Sequence, residues 1–128
     1  MLAALCVFLG GGVGACLRWW LALLLNPICH IMPLGTLAAN LIGGYLIGVA
    51  AAFFALRHEL APEIRLFAIT GVLGGFTTFS AFSSEVVSLV AEGRAAWATL
   101  TAAAHLVGSL ALTALGILTV RIMSNPLS

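Results

Sequence analysis

The 128-residue chain contains no lysine, no aspartate and no glutamine, and charged residues make up only 7% of it. Soluble domains carry about a quarter charged residues, whereas 62% of this chain is hydrophobic and its mean hydropathy is +1.20. The composition excludes a water-soluble domain and indicates a membrane protein. The net charge is +1 and the arginines are scattered singly, so there is no basic surface for nucleic acid.

Chemical motifs are equally sparse. The three cysteines, Cys6, Cys16 and Cys29, form no CxxC pair and are interpreted as small packing residues. No P-loop, G-x-S-x-G elbow or metal-ligand cluster lies in the apolar segments, so we expect no enzyme. The N-terminus lacks the positive region of a signal peptide, and Arg18 follows in the same segment, so we expect no cleavage.

The chain is rich in apolar segments long enough to cross a bilayer, which takes about 20 residues. Turn formers and charged residues separate these segments. The prediction is an all-α membrane protein with a single transmembrane domain over residues 1–128. Its four spans are predicted at residues 2–25, 34–56, 64–91 and 95–123.

Small residues recur at a spacing that lets helices approach closely in lipid. Gly10 is followed by Gly14, and Gly44 by Gly48. We interpret both pairs as positions of tight helix packing.

The distribution of arginines gives almost no preferred orientation in the membrane. With four spans, Arg57, Arg65 and Arg121 lie on one side, against Arg94 and, if its side chain extends outward, Arg18 on the other. The positive-inside rule depends on such differences, so a nearly balanced chain can insert both ways. This suggests an antiparallel, dual-topology homodimer, which supplies the inverted symmetry that other transporters contain within one chain.

The third segment contains the unusual stretch GVLGGFTTFSAFSSE, with three glycines, five hydroxyl side chains and three phenylalanines. Gly74 and Gly75 each lower helix propensity by about 1 kcal/mol relative to alanine, and the hydroxyls of Thr77, Thr78 and Ser80 can bond freed backbone groups. We therefore predict a broken third helix. Freed backbone groups are tolerated in a membrane only against protein or a cavity, so the break should face a partner helix or a pathway.

The phenylalanines Phe76, Phe79 and Phe82 are spaced by three and share one face of a helix. Such a stripe fits core packing. It also fits an anion pathway, because an aromatic ring has a positive edge and the neighbouring hydroxyls can donate hydrogen bonds. The residues alone leave both interpretations open.

The fourth segment carries Thr101, His105, Ser109 and Thr113 at i, i+4, i+8 and i+12, which places them on one stripe. The stripe fits either hydrogen bonds between helices or the wall of a pathway. Asn40, the only amide deep in a span, could likewise donate to an anion or tie helices together.

Two charged residues also allow two interpretations each. Arg18 lies about two turns from the end of its segment and would serve either as an anion-attracting vestibule residue or as an anchor at the membrane surface. Glu85 is either a solvated group near a helix end or part of the route by which an ion enters.

Four segments of the chain resemble those of a known family. GGVGACLRWW, GTLAANLIGGYLIG, GVLGGFTTFSAFSSE and HLVGSLALT are similar, in order, to segments of the small fluoride channels of the Fluc (CrcB) family. The resemblance implies a dual-topology homodimer in the plasma (inner) membrane, with two antiparallel pores. Such channels pass fluoride passively, reject chloride and export fluoride from the cytoplasm.

The resemblance also implies roles for individual residues. Arg18 resembles the vestibule arginine, and the carbonyl oxygens of Gly74 and Thr77 correspond to those that hold a structural sodium ion (Na+) at the dimer centre. The residues assigned to the ion pathway are Asn40, Thr78, Phe79, Ser80, Phe82, His105, Ser109 and Thr113.

The chain departs from the family pattern at three positions. Thr101 stands where relatives carry an aromatic hydroxyl, His105 where serine also occurs, and Ala81 where threonine is commoner.

Two other classes of protein fit the size of the chain. A small proton-coupled multidrug exporter would need a deep carboxylate, but the first segment contains Arg18 and no acid. A structural membrane protein without a transport role would use the stripe from Thr101 to Thr113 for packing alone.

Overall fold

The computed structural model describes residues 1–125; residues 126–128 lie outside the described part. Over the described range the chain forms helices and turns, with no strand. The prediction of an all-α protein with four spans is therefore confirmed. The first span ends three residues later than predicted because a 3-10 turn extends it, the third begins two residues earlier and the fourth ends one residue later. The four helical segments long and apolar enough to cross a membrane are Leu2–Ile28, Leu34–Leu56, Pro62–Ala91 and Ala95–Ser124, called the first to fourth spans below.

The outward faces of the spans are apolar and largely uncovered. Phe8 is 77% exposed, and Leu106 and Ile122 are 62% and 63% exposed. Contiguous exposed apolar surface of this extent is rare in soluble monomers. Lipid or another protein chain must cover it, which agrees with a multi-pass membrane protein.

The second and fourth spans are in backbone contact at glycines. A Cβ atom added to Gly44 would lie 3.0 Å from the carbonyl oxygen of Ser109, and one added to Gly48 would collide with the carbonyl oxygen of Thr113. From the opposite side, a Cβ on Gly116 would collide with the carbonyl oxygen of Tyr45. The predicted close packing at Gly44 and Gly48 is confirmed.

The first span packs in the same way against the first half of the third span. A Cβ atom on Gly10 would lie 2.5 Å from the carbonyl oxygen of Phe67, and one on Gly14 would collide with the carbonyl oxygen of Val72. These two glycines therefore also mark a close helix approach, as predicted. This contact holds the first half of the third span against the first span.

The first half of the third span is not a regular α-helix. An α-helical turn over Pro62–Arg65 leads into eight π-helical residues, Leu66–Leu73, and then into a short α-helical piece, Gly74–Phe76. The Gly74 N–H donates to the carbonyl of Ile69, five residues earlier. π-Helical turns widen a helix and occur often at functional sites.

Helical backbone angles stop after Phe76 and resume at Phe79. Thr77 has φ −81° and ψ 157°, and Thr78 has φ −152° and ψ 120°, which are extended conformations. The following helix, Phe79–Ala91, starts with an N-cap in which the Thr78 hydroxyl accepts from the N–H of Ala81 at 3.2 Å. The N-cap is thus formed by one of the five hydroxyl-bearing residues of the stretch GVLGGFTTFSAFSSE.

Candidate functional site

The side chain of Asn40 forms two hydrogen bonds with the extended backbone of Thr78. Its Oδ1 accepts the Thr78 N–H at 2.8 Å, and its Nδ2 donates to the Thr78 carbonyl at 2.9 Å. In a continuous α-helix the Thr78 N–H would donate to the carbonyl of Gly74. Asn40 takes this donor, so the Gly74 carbonyl loses its helical partner.

Arg18 binds the same region from the first span. Its Nε donates to the carbonyl oxygen of Gly75 at 3.2 Å. In a continuous helix that carbonyl would accept the N–H of Phe79, which is displaced by the two extended residues. The guanidinium therefore satisfies a carbonyl that the local backbone leaves without a partner, at a depth where an unpaired carbonyl is costly.

A groove of about 390 Å³ opens beside the extended residues, between the second, third and fourth spans. None of its lining residues is an aspartate, glutamate, lysine or arginine. Its walls combine carbonyl, amide, hydroxyl and aromatic groups with aliphatic side chains. The lining comprises Asn40, Gly43, Gly44, Ile47, Ile69, Leu73, Gly74, Thr77, Thr78, Phe79, Phe82, His105, Leu106, Ser109, Leu110 and Thr113.

Two phenylalanines and a histidine form an aromatic cluster in this groove. Phe79 and Phe82 meet edge to face, with ring centroids 5.4 Å apart and an interplanar angle of 65°. Phe82 stacks on His105 at 4.7 Å and 28°. Phe79 is 77% exposed, although it lies next to the buried centre of the protein. Its ring is therefore available to lipid or to a second chain.

The hydroxyls of the fourth span face the second span. Ser109 Oγ donates to the carbonyl of Asn40 at 3.4 Å, and Thr113 Oγ1 lies 2.9 Å from the carbonyl oxygen of Gly44 and 2.8 Å from that of Ser109. Both hydroxyls also line the groove. In this arrangement they tie the two helices together, and they would have to redirect their hydrogens to serve an anion.

The structure brings most of the predicted site residues together. Ser80 is exposed, with its Oγ 3.3 Å from the Thr78 hydroxyl, and it is not among the lining residues. Arg18 approaches the extended segment from the first span and does not line the groove either. The predicted residues that share the groove are Asn40, Gly74, Thr77, Thr78, Phe79, Phe82, His105, Ser109 and Thr113.

Sequence reasoning missed a contact between Thr36 and Glu85. The buried Thr36 hydroxyl donates to Glu85 Oε1 at 2.6 Å, so the carboxyl is held within the protein. Thr36 lies four residues before Asn40, on the same face of the second span. That spacing is visible in the sequence and could have identified Thr36 as part of the site.

Fold and groove together define a class: a small four-span membrane protein with an uncharged, mainly apolar groove that carries a few polar groups beside an extended pair of residues in its third span. The model of the family described as CrcB-like protein, Camphor Resistance (CrcB), matches residues 5–117. The chain therefore belongs to the CrcB-like family, and the resemblance noted from its sequence is confirmed.

Close relatives share most of the chain. A protein of Burkholderia cenocepacia (strain HI2424), named fluoride-specific ion channel FluC, is 59% identical over 115 residues, which is 90% of each chain. The proteins of the same name from Nitrosospira multiformis and Burkholderia pseudomallei (strain 668) are 56% and 53% identical, over 88% and 94% of each chain. The similarity thus includes all four spans.

Proposed function

We propose that this protein is a fluoride-selective, passive ion channel that exports fluoride from the cytoplasm across the plasma (inner) membrane and so lowers its toxicity. It is a transport protein and not an enzyme. The observation that carries the proposal is the uncharged groove, which combines the edge-to-face pair Phe79 and Phe82 with amide, hydroxyl and imidazole groups. The names of the relatives support the choice of ion.

The chemistry of the groove suits a small, strongly hydrated anion. Fluoride gives up water only where close donors and positive ring edges replace it. In the pathway assigned here, ring edges come from Phe79 and Phe82 and donors from Thr78, Ser109, Thr113 and the residues beside them. The larger chloride ion would need a wider gap between these groups, so we expect the pathway to favour fluoride.

The working unit in this proposal is an antiparallel, dual-topology homodimer with two pores, in which the broken third helix of each chain faces its partner. The extended angles of Thr77 and Thr78 support the break. The 77% exposure of Phe79 beside the groove supports a covering chain. The nearly balanced arginines support insertion in both orientations.

A structural sodium ion at the dimer centre also belongs to the proposal. The Gly74 carbonyl has lost its helical donor to Asn40, and Gly74 is exposed beside the groove. Carbonyl oxygens of this kind suit a hard cation such as sodium. One chain would supply the Gly74 and Thr77 carbonyls, and its partner would supply the same two.

A proton-coupled exporter is a weaker candidate because it needs a carboxylate in its substrate path. No acid lines the groove, and Glu85 of the third span is bound to Thr36. A purely structural role would account for the hydrogen bonds of Ser109 and Thr113. It gives no reason for an exposed phenylalanine ring beside a groove that carries amide, hydroxyl and imidazole groups.

The deciding experiment is ion release from potassium-loaded liposomes that contain the purified protein, with valinomycin to balance charge and electrodes for fluoride and chloride. A channel releases fluoride rapidly and chloride hardly at all. Proton-dependent uptake of an aromatic cation, without fluoride release, would identify an exporter. Absence of both fluxes in liposomes that contain folded protein would favour a structural role.

A further inference from the structure

The orientation of the Asn40 amide is fixed by the backbone to which it binds. The Thr78 N–H must face the amide oxygen, and the Thr78 carbonyl must face the amide nitrogen, as the distances of 2.8 Å and 2.9 Å require. The Asn40 Nδ2 lies 3.0 Å from Nδ1 of His105. Both hydrogens of this nitrogen are thereby committed, one to Thr78 and one to His105.

This orientation determines the protonation state of His105. Because Asn40 presents a donor to Nδ1, that nitrogen must be the acceptor, and the proton of the neutral imidazole lies on Nε2. His105 is 3% exposed, and its Nε2 is buried with no hydrogen-bond partner among residues 1–125. A buried N–H donor is therefore oriented and left unused by the protein.

Thr101, one turn earlier on the same face, has a second unused donor. The other threonines of the fourth span, Thr99, Thr113 and Thr119, each donate to the carbonyl four residues earlier, at 2.8 to 3.0 Å. Thr101 is completely buried, yet within the described chain its hydroxyl has no partner. Buried hydroxyls are rarely unpaired, so this one is free to donate to a ligand or to a water molecule.

We propose that Asn40 is a positioning residue that holds His105 in its Nε2–H tautomer, and that this N–H and the Thr101 hydroxyl form a donor pair for fluoride. The inference rests on the proposed function and deepens it. It gives Asn40 no free hydrogen for the ion, and it moves the contact with the ion to His105 and Thr101.

The surroundings favour an acceptor at this place. The face of the imidazole is covered by Phe82, so a ligand approaches in the plane of the ring. Glu85 Oε2 is a third buried atom without a partner in the part of the chain that the structure describes, while Oε1 accepts from Thr36. This oxygen suits a water molecule that accompanies the ion, whereas the N–H and O–H donors suit the ion itself.

Magnetic resonance of the reconstituted protein tests the tautomer directly. With ¹⁵N-histidine and the loop residues His30 and His58 replaced by glutamine, His105 should show a protonated Nε2 and an unprotonated Nδ1. In Asn40→Asp, whose carboxylate must accept from His105, the proton should move to Nδ1. A wild-type His105 that carries its proton on Nδ1 would overturn the proposal, whether or not the variant folds.

The same sample distinguishes fluoride from water as the ligand. Dipolar recoupling between ¹⁹F and ¹⁵N should reduce the Nε2 signal when the protein is loaded with fluoride, and should leave it unchanged in chloride. Flux through the protein without any ¹⁹F effect on Nε2 would show that only water occupies the site, and this would refute the donor pair.

A substitution at Thr101 distinguishes the proposed donor pair from a purely structural role of this residue. Thr101→Val keeps the shape and removes a hydroxyl with no protein partner, so packing alone predicts unchanged flux and an equally stable dimer. The donor pair predicts a fluoride flux reduced about tenfold, which is about 1.4 kcal/mol, with Thr101→Ser close to wild type. Equal flux in Thr101→Val and wild type would sink the donor pair while leaving the channel itself intact.

Discussion

Arg18 donates from Nε to the carbonyl oxygen of Gly75 at 3.2 Å and so links the first span to the part of the third span that precedes the extended residues Thr77 and Thr78. The contact explains how an arginine about two turns from the end of an apolar span is accommodated. A guanidinium at this depth needs acceptors, and the displaced helix end provides one. The third span is thus bound by two neighbouring spans. Arg18 of the first span binds Gly75, and Asn40 of the second span binds Thr78.

Replacing Arg18 by methionine should destabilise the fold by about 1 to 3 kcal/mol, the usual cost of leaving a buried carbonyl without a partner. Residue 18 lies in the apolar phase in both the folded and the unfolded chain. The cost of placing the arginine charge there therefore largely cancels in the free energy of unfolding. The measurement is the free energy of unfolding in lipid–SDS micelles. Arg18→Gln, which keeps an N–H donor, is the matched control and should lose less. Equal stabilities of Arg18→Met and wild type would show that the hydrogen bond is dispensable.

The aromatic cluster leads to a prediction about flux. Phe79→Ile and Phe82→Ile remove the ring edges and should slow fluoride release about tenfold or more, which corresponds to at least 1.4 kcal/mol, while the dimer persists. The control is Phe8→Ile, because Phe8 is 77% exposed like Phe79 but lies on the outer face of the first span. The proposed role of the rings would be wrong if both cluster variants released fluoride as fast as Phe8→Ile.

Close packing of the second and fourth spans predicts a sharp difference between glycines. In Gly48→Ala the new Cβ collides with the carbonyl oxygen of Thr113, so the fold should lose about 1 to 3 kcal/mol through overpacking. At Gly12 a Cβ meets nothing within 4 Å, so Gly12→Ala should be neutral or stabilise by up to about 1 kcal/mol. Unfolding in lipid–SDS micelles measures both. A Gly48→Ala protein as stable as wild type would contradict the contact.

The number and limits of the spans were predictable from the sequence because apolar length is a local property of the chain. Gly10, Gly14, Gly44 and Gly48 were predictable for the same reason, since a small residue every fourth position marks one helix face. The site needs long-range information. Which carbonyl Arg18 reaches depends on how the first and third spans rotate against each other, and no local pattern encodes that rotation.

The irregular parts of the third span show where sequence reasoning stops. The glycines at 74 and 75 predict a weak helix, but the π-helical Leu66–Leu73, which packs against the first span, has no signature of its own in the sequence. The sequence places Asn40 within a membrane span, but it does not tell whether the amide donates to an ion or ties two helices together. The paired bonds to Thr78 occupy both ends of the amide and tie the second span to the third.

If a sodium ion holds the centre of a dimer, replacing sodium with choline at constant ionic strength throughout purification should weaken the dimer. A ligand present at 100 times its dissociation constant contributes about 2.7 kcal/mol, which its removal would take away. Subunit dissociation, measured by single-molecule photobleaching in diluted vesicles, reports the effect. Return of sodium should restore the dimer. A dimer equally strong in choline would remove sodium from the proposal.

Dual topology can be tested at Cys29, which lies in the loop between the first two spans. Hydrogen bonds from the backbone at Met32 and Ile31 lower the pKa of its thiol, so more of the reactive thiolate is present near neutral pH than for an ordinary cysteine. In cells carrying a variant in which Cys6 and Cys16 are alanine, a membrane-impermeant maleimide should label about half of the chains from outside, because the arginine balance favours neither orientation. Permeabilisation should then label the remainder, which also shows that the thiols of the unlabelled half were present and reactive. Labelling of all chains or of none before permeabilisation would mean a single orientation and would rule out the antiparallel dimer.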